Sequence, residues 1–273
     1  MSEDSIPDHI RELGDNFDSG LPPLQPRDAA LLVMPDLDFE AQLTAINFAL
    51  QEHDSSRDAY HKEVAELEEA MRKTRGLRHE FVESEWVGRL HQSVYDDAAR
   101  SMAAVGMLAP LLESIFFRSF QGIANERAKL KSEHFTHARW EQARRDVWDC
   151  HLVWDKGGYR RSLIDGIMQL SEATELDAYL PTDLHPTLSA LFEYRNRMFH
   201  LGFEWPLDDR LKFAKRIVDA NWPKSWFSNA SSGGQPWVFY MSSGFIQHVV
   251  RTTNDVIEGI GAYCKAEFFP KEC

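Results

Sequence analysis

Residues 185–203, HPTLSALFEYRNRMFHLGF, have the apolar spacing of an amphipathic helix. Arg195 falls in the middle of the apolar stripe, and Asn196 and His200 lie beside it, four residues apart on one face. A cation within an apolar stripe must reach solvent along its aliphatic stem, pair with a carboxylate or bind an anion. This helix is therefore the first candidate for a functional site. At 3.6 residues per turn, the expected stripe is formed by Leu188, Leu191, Phe192, Phe199 and Gly202.

The segments on either side also have helical patterns, which predicts an all-α helical bundle. The segment 83–130 is expected to break near Gly106 and Pro110, because an interior proline kinks or ends a helix. SSGG lies between aromatic and β-branched stretches at 226–241, so at most one small β-hairpin is predicted there. The other helical segments are expected at 36–54, 57–76, 134–155, 159–176, 207–220 and 243–269.

Composition divides the chain into three parts. Residues 1–36 are rich in proline and acidic residues and are expected to form a solvated or loosely docked arm. Residues 37–76 are predicted to be a helical extension, either an antiparallel hairpin or one long helix, with Gly76 as its stop. Residues 77–269 are predicted to form the main helical domain.

Charge and cysteine content exclude several classes of protein. The net charge is −13 and the pI is about 5.3, so a broad basic surface that coats nucleic acid is excluded. The sparse, unpaired cysteines Cys150, Cys264 and Cys273 fit a reducing compartment. The acidic N-terminus lacks a signal-peptide core, and the apolar run 102–117 is too short and interrupted to span a bilayer. A cytoplasmic location without membrane contact is predicted.

The sequence predicts neither a metal nor a cofactor. His134 and His137 are three residues apart, but no third ligand follows at a telling distance. Cys150 and His151 are adjacent on a predicted helix, where their side chains would point in different directions. The sequence contains no P-loop and no GxGxxG motif.

The residue types at 195–200 suit the cleavage of RNA. A histidine such as His200 can transfer protons near neutral pH. The guanidinium group of Arg195 can stabilise the charge of a phosphorane, and Asn196 can orient the imidazole or the phosphate. Arg195 and His200 lie about 140° apart around the helix, so one helix supplies one arginine and one histidine. A second copy across a two-fold axis would supply the missing acid or base.

The sequence Arg195-Asn196-Arg197-Met198-Phe199-His200 resembles the Arg-Asn-x-x-x-His signature of the HEPN superfamily. The resemblance implies an α-helical bundle that dimerises with its signature helices face to face, here within 77–269. It also implies a metal-independent endoribonuclease that leaves 2′,3′-cyclic phosphate ends and acts as a toxin or an anti-phage defence effector. Arg195, Asn196 and His200 would be catalytic. Gly202 stands where some HEPN toxins carry a modified tyrosine, so control by that modification is not expected.

The resemblance also implies partners for the chain. Single-stranded RNA would be the substrate and a second copy of the chain the partner in the dimer, and an antitoxin or an activator protein would be a further partner. Basic residues on and after the signature helix would steer the RNA towards the cleft: Arg197, Lys212, Lys215 and Arg216.

Two other readings remain open. A non-catalytic HEPN-like module that binds a nucleotide or a protein would keep the fold but bury or separate the signature residues. A helical scaffold protein would contain the motif by accident, with Arg195 paired to a carboxylate such as Glu113 within one subunit.

Overall fold

A computed structural model describes residues 24–130, 137–141 and 145–269. These residues form an all-α fold with two small antiparallel hairpins. The sequence predicts the all-α fold and the hairpin near 226–241, but not the hairpin that precedes it in the chain. The helices are α1 (Pro26–Val33), α2 (Phe39–Lys73), α3 (Leu77–Leu130), α4 (Leu163–Ala173), α5 (Leu184–Leu201), α6 (Leu207–Asp219) and α7 (Ser243–Phe268). The strands are β1 (Leu152–Asp155), β2 (Gly158–Arg161), β3 (Phe227–Ser232) and β4 (Gln235–Met241).

Helices α2 and α3 form a long antiparallel hairpin. The carboxylate of Asp38 caps α2 by accepting a hydrogen bond from the amide of Ala41 at 2.9 Å. The turn into α3 contains Gly76 at φ 65°, a left-handed conformation that glycine adopts without steric cost. Residues 37–76 therefore contribute one extended helix, which ends at Lys73, to a hairpin with α3, and Gly76 lies in the turn that follows.

Helix α3 runs without interruption for 54 residues, so the predicted break near Gly106 and Pro110 is wrong. Pro110 is exposed on the outer face of the helix. The carbonyl group of Gly106, which loses its usual amide donor four residues later, can therefore bind water instead. Over an apolar window, α3 has the length and composition of a membrane-spanning helix, but 56% of that window is buried inside the fold, as expected of a core helix.

Helix α1 packs tightly against α3 and α7, although the sequence places it in the acidic arm. A Cβ atom at Gly122 would overlap the carbonyl oxygen of Val33, and one at Gly261 would overlap that of Pro26. Arg27 fastens the helix by ion pairs to Glu40 at 2.5 Å and to Glu258 at 3.3 Å. Residues 26–36 thus belong to the folded body, and residues 1–23 lie outside the described residues.

The segment predicted as a helix over 134–155 is instead two short 3-10 turns, Ala138–Glu141 and Arg145–Trp148, followed by the β1–β2 hairpin. The cause is Arg139, whose side chain is buried. Its guanidinium group donates to the carbonyl oxygens of Val147 at 2.5 Å, Asp149 at 2.7 Å and Leu152 at 2.8 Å. One buried side chain thus supplies hydrogen-bond donors to three carbonyl groups of a segment that has few helical hydrogen bonds of its own. Residues 134–136 and 142–144 of the prediction lie outside the described residues.

The hairpin predicted at 226–241 is confirmed as β3 and β4. Its turn contains Gly233 at φ 59° and Gly234 at φ 76°, the two left-handed residues that a tight two-residue hairpin turn needs. The hairpin packs against α3 and α6. Aromatic rings fill the space between the hairpin and the end of α5: Trp205, Phe213, Phe227 and Phe239.

Candidate functional site

Helix α5 carries the signature residues and buries Leu188, Leu191 and Phe192 of the predicted stripe, but its C-terminal end turns other residues to the core. Tyr194 and Met198 are fully buried together with Leu188 and Leu191, whereas Phe199 is 57% exposed. The buried positions 188, 191, 194 and 198 follow the helical period, which rotates residue 199 by about 100° towards solvent. Arg195 therefore lies at the edge of the buried stripe and is half-buried. The expectation that Phe199 joins the core is wrong.

The side chains of all three signature residues are exposed to solvent, fully or in part. Asn196 and His200 are exposed, and the guanidinium carbon of Arg195 lies 6.0 Å from the centroid of the Phe192 ring. None of the three side chains forms a hydrogen bond or an ion pair with any residue that the structure describes. Glu113, the carboxylate considered as a partner of Arg195, contacts His151 instead. The hydrogen-bonding groups of all three residues are therefore available to a ligand.

Phe199 links the signature helix to α3. Its ring lies over Gly106, where an added Cβ atom would stand 3.3 Å from the ring Cζ. The absence of a side chain at position 106 lets the aromatic ring approach the α3 backbone. Phe199 still exposes more than half of its surface. An apolar, solvent-facing ring thus lies directly between Arg195 and His200 along the sequence.

The side chain of Arg197 is held in the fold by ion pairs and by aromatic rings. Its guanidinium group pairs with Glu193 at 3.3 Å and with Asp209 at 3.6 Å. The same group lies 5.8 Å from the ring centroid of Trp205 and 5.3 Å from that of Phe213. Only 19% of the side chain is exposed. These contacts join α5 to α6, and a role of Arg197 in steering RNA stays a prediction.

The three basic residues of α6 differ in their contacts. Lys212 and Lys215 are exposed and pair with no carboxylate in the described part of the chain. Arg216 is paired with Glu193 at 2.8 Å and lies 5.4 Å from the ring centroid of Trp222. Glu193, the sole acidic residue of α5, is therefore neutralised by two arginines. Asp209 also pairs with Arg197, so the two arginines and the two carboxylates balance one another, and Arg195, Lys212 and Lys215 are the cations of this region without a carboxylate partner among the described residues.

A second cluster was missed by the sequence analysis. His151 Nδ1 lies 2.8 Å from Asp149 Oδ1, and His151 Nε2 lies 3.0 Å from Glu113 Oε1. Burial lowers the pKa of His151, but hydrogen bonds to both carboxylates and their charges outweigh burial, so the pKa is raised. The sequence LVWDKGGYRR contains the signal that could have located this site. Two glycines between a β-branched and aromatic stretch and the next tyrosine-containing stretch indicate a hairpin. Recognising that hairpin would have moved Cys150 and His151 from a helix into the turn before β1.

Comparison of the chain with protein-family models, with curated proteins and with solved structures finds no match. The resemblance to HEPN proteins therefore rests on the signature residues of α5 and on the all-α character of the fold.

Proposed function

We propose that the chain is a cytoplasmic, metal-independent endoribonuclease of HEPN type that cleaves single-stranded RNA as a homodimer. The observation that supports this proposal best is the state of Arg195, Asn196 and His200. All three lie on one helix, reach solvent and have no hydrogen-bond or ion-pair partner among the described residues. The neighbouring Arg197 and Arg216, in contrast, form ion pairs with Glu193. Arginine, asparagine and histidine side chains without other hydrogen-bond partners can donate hydrogen bonds to a bound anion.

The reaction needs a general base, a general acid and one fixed cation. His200 of one chain removes the proton of a 2′-hydroxyl group, whose oxygen attacks the adjacent phosphorus atom. The P–O5′ bond breaks, and His200 of the second chain protonates the leaving 5′-oxygen. Arg195 stabilises the charge of the phosphorane by bidentate hydrogen bonds, and Asn196 orients the phosphate or an imidazole. The products are a 2′,3′-cyclic phosphate and a 5′-hydroxyl group.

The surface around α5 supports the second copy that this mechanism requires. Phe199 exposes an aromatic ring between the proposed catalytic positions. Gly106, which lies beneath this ring, adds no side chain to the neighbouring face of α3. Large exposed aromatic residues are enriched in protein interfaces. A two-fold axis through this surface would place two copies of His200 on opposite sides of one cleft.

A non-catalytic binding module is the second candidate. It is favoured by the same exposed ring of Phe199 beside the cation of Arg195, a combination that also suits a protein partner. In a toxin or defence effector, an antitoxin or an activator protein would bind here.

The test is incubation of the purified protein with mixed single-stranded RNA in EDTA, beside Arg195→Ala and His200→Ala. We expect cleavage that survives the chelator, leaves cyclic phosphate ends and is lost in both variants. His185→Ala is the matched control, because His185 is also an exposed histidine on α5. Loss of cleavage in His185→Ala as well, or retention in His200→Ala, would contradict the assignment. A folded dimer that does not cleave RNA would favour the binding module.

A further inference from the structure

Asp149, Cys150 and His151 are consecutive in the chain and bring three metal-ligating atoms together. A carboxylate oxygen of Asp149, the Sγ atom of Cys150 and a ring nitrogen of His151 all lie within 4.8 Å of one another. One pair, Asp149 Oδ1 and His151 Nδ1, is separated by 2.8 Å. Ligand atoms around a tetrahedral zinc ion are about 3–4 Å apart, given bonds of about 2.0–2.3 Å. The three atoms thus need only a small adjustment to enclose one ion.

The tripeptide is held in place by the surrounding backbone. Arg139 binds the carbonyl oxygen of Asp149 within the tripeptide. It also binds those of Val147 before the tripeptide and Leu152 after it. The carbonyl oxygen of Cys150 also packs against Gly166 of α4, where a Cβ atom would overlap it. The donor set is therefore fixed before any ion binds, which lowers the cost of assembling a site.

The carboxylate of Glu113 completes the arrangement from α3. It lies 3.0 Å from His151 Nε2, the ring nitrogen that faces away from Asp149. When one nitrogen of a metal-bound histidine binds the ion, the other usually donates its hydrogen to a carboxylate. Glu113 is placed to accept that hydrogen bond, which would leave Nδ1 free to bind the ion.

We propose that Asp149, Cys150 and His151 form a binding site for a divalent ion of the zinc class, with Glu113 orienting the imidazole. The mixed oxygen, sulfur and nitrogen donors fit zinc better than magnesium or calcium, which prefer oxygen alone. Three protein ligands leave a fourth position for water. Asp149 lines two surface grooves, one together with Arg161 and Ser162 and the other together with Phe117 and Asn125, through which water can reach the site.

Binding at this site is coupled to the release of protons. Without an ion, burial raises the pKa of the Cys150 thiol to about 12, so the thiol carries its proton at neutral pH. Coordination replaces that proton with the ion. None of its residues belongs to α5, and the site takes no part in the proposed RNA cleavage, so the two proposals stand or fall separately.

Cobalt and zinc titrations test the site in the full chain. Every protein compared carries Cys273→Ser, because Cys273 lies outside the described residues and could bind cobalt itself. With Co²⁺ we expect a thiolate-to-cobalt absorption band, which vanishes in Cys150→Ala and persists in Cys264→Ala. Cys264 is the matched control, since it is also a buried cysteine whose pKa burial raises to about 12. At a hundredfold excess over Kd, Zn²⁺ should raise Tm by about 5 °C or more.

The remaining variants separate coordination from folding. His151→Gln should remove the rise in Tm, and Glu113→Gln should weaken zinc affinity by about 10- to 100-fold, because Glu113 acts through the imidazole. If Cys150→Ala does not fold, these two variants still decide the question. Absence of the cobalt band in the parent protein would overturn the proposal. Zinc affinity that is unchanged in His151→Gln would overturn it equally.

Discussion

Arg195 lies over the ring of Phe192, three residues earlier on the same helix, at 6.0 Å from the guanidinium carbon to the ring centroid. Arg197, two residues later, is instead enclosed by two carboxylates and two aromatic rings. The Arg195 contact supports the side chain while leaving its hydrogen-bond donors unused. Two arginines in one short motif therefore have different tasks, one exposed to a ligand and one holding α5 to α6.

This difference predicts unequal effects on stability. Arg197→Ala removes the ion pairs and the packing between Trp205 and Phe213, and should lower the free energy of unfolding by about 1–3 kcal/mol. Arg195→Ala should change it by less than about 1 kcal/mol, because only one ring contact is lost. Urea unfolding of both variants measures the difference. Equal losses would contradict the assignment of Arg197 to the fold.

Two glycines of α3 should respond in opposite ways to alanine. Gly106→Ala places its Cβ against the exposed ring of Phe199, which can move, and should leave stability unchanged or raise it by up to about 1 kcal/mol. Gly122→Ala forces its Cβ into the backbone of Val33 and should cost about 3 kcal/mol. Thermal unfolding of the pair measures this, and a large loss in Gly106→Ala would show that Phe199 cannot move.

The buried guanidinium group of Arg139 should be indispensable to the segment that it holds. Arg139→Ala removes a charged hydrogen-bond donor from each of three carbonyl groups and should lower the free energy of unfolding by about 3 kcal/mol or more. Arg139→Lys should recover little, because an ammonium group cannot reach acceptors arranged around a planar fork. Hydrogen exchange at β1 and β2 reports the loss locally. Normal protection of these strands in Arg139→Ala would show that the hairpin does not depend on the clamp.

His151 should make stability depend on pH when no metal is present. Its pKa is raised in the folded chain, so its contribution is complete below about pH 6.5 and disappears as the pH rises through the folded pKa. The wild type should therefore exceed His151→Gln in stability most at low pH, by a margin that shrinks as the pH rises. Urea unfolding in EDTA from about pH 5.5 to about pH 9 measures this margin. A margin that grows with pH would contradict the raised pKa.

The free lysines of α6 should set the salt dependence of RNA binding. In a His200→Ala background, which prevents cleavage, each of Lys212→Ala and Lys215→Ala should reduce the slope of log affinity against log salt by about 0.7 for single-stranded RNA. Lys62→Ala is the control, because Lys62 is an exposed lysine on α2. Fluorescence anisotropy at several salt concentrations gives the slopes. Equal slopes in all four proteins would remove α6 from the RNA-binding surface.

Local signals predicted the parts of the fold that local chemistry determines. The helical patterns of α5 and α7, the glycine turn at Gly76 and the turn glycines of the β3–β4 hairpin could be recognised because each acts within a few residues. The placement of Arg195, Asn196 and His200 on one helix was predicted for the same reason, and their role in catalysis stays a prediction.

Long-range contacts determined what the sequence analysis missed. The turns after Ala138 depend on a single buried side chain whose acceptors are up to 30 residues away, at Gln169. The burial of α1 depends on two glycines, Gly122 and Gly261, far along the chain. The contact between Glu113 and His151 joins α3 to a turn 38 residues later. None of these relationships leaves a periodic mark in the sequence.

The length of α3 changes how the molecule would behave in solution experiments. At 1.5 Å per residue, a helix of 54 residues is about 80 Å long. A compact chain of 273 residues has a radius of gyration of about 19 Å. A monomer with such a rod would diffuse slowly and elute early from a sizing column, at the volume of a larger globular protein. The proposed dimer must therefore be established from absolute mass, by light scattering or sedimentation equilibrium, and not from elution volume.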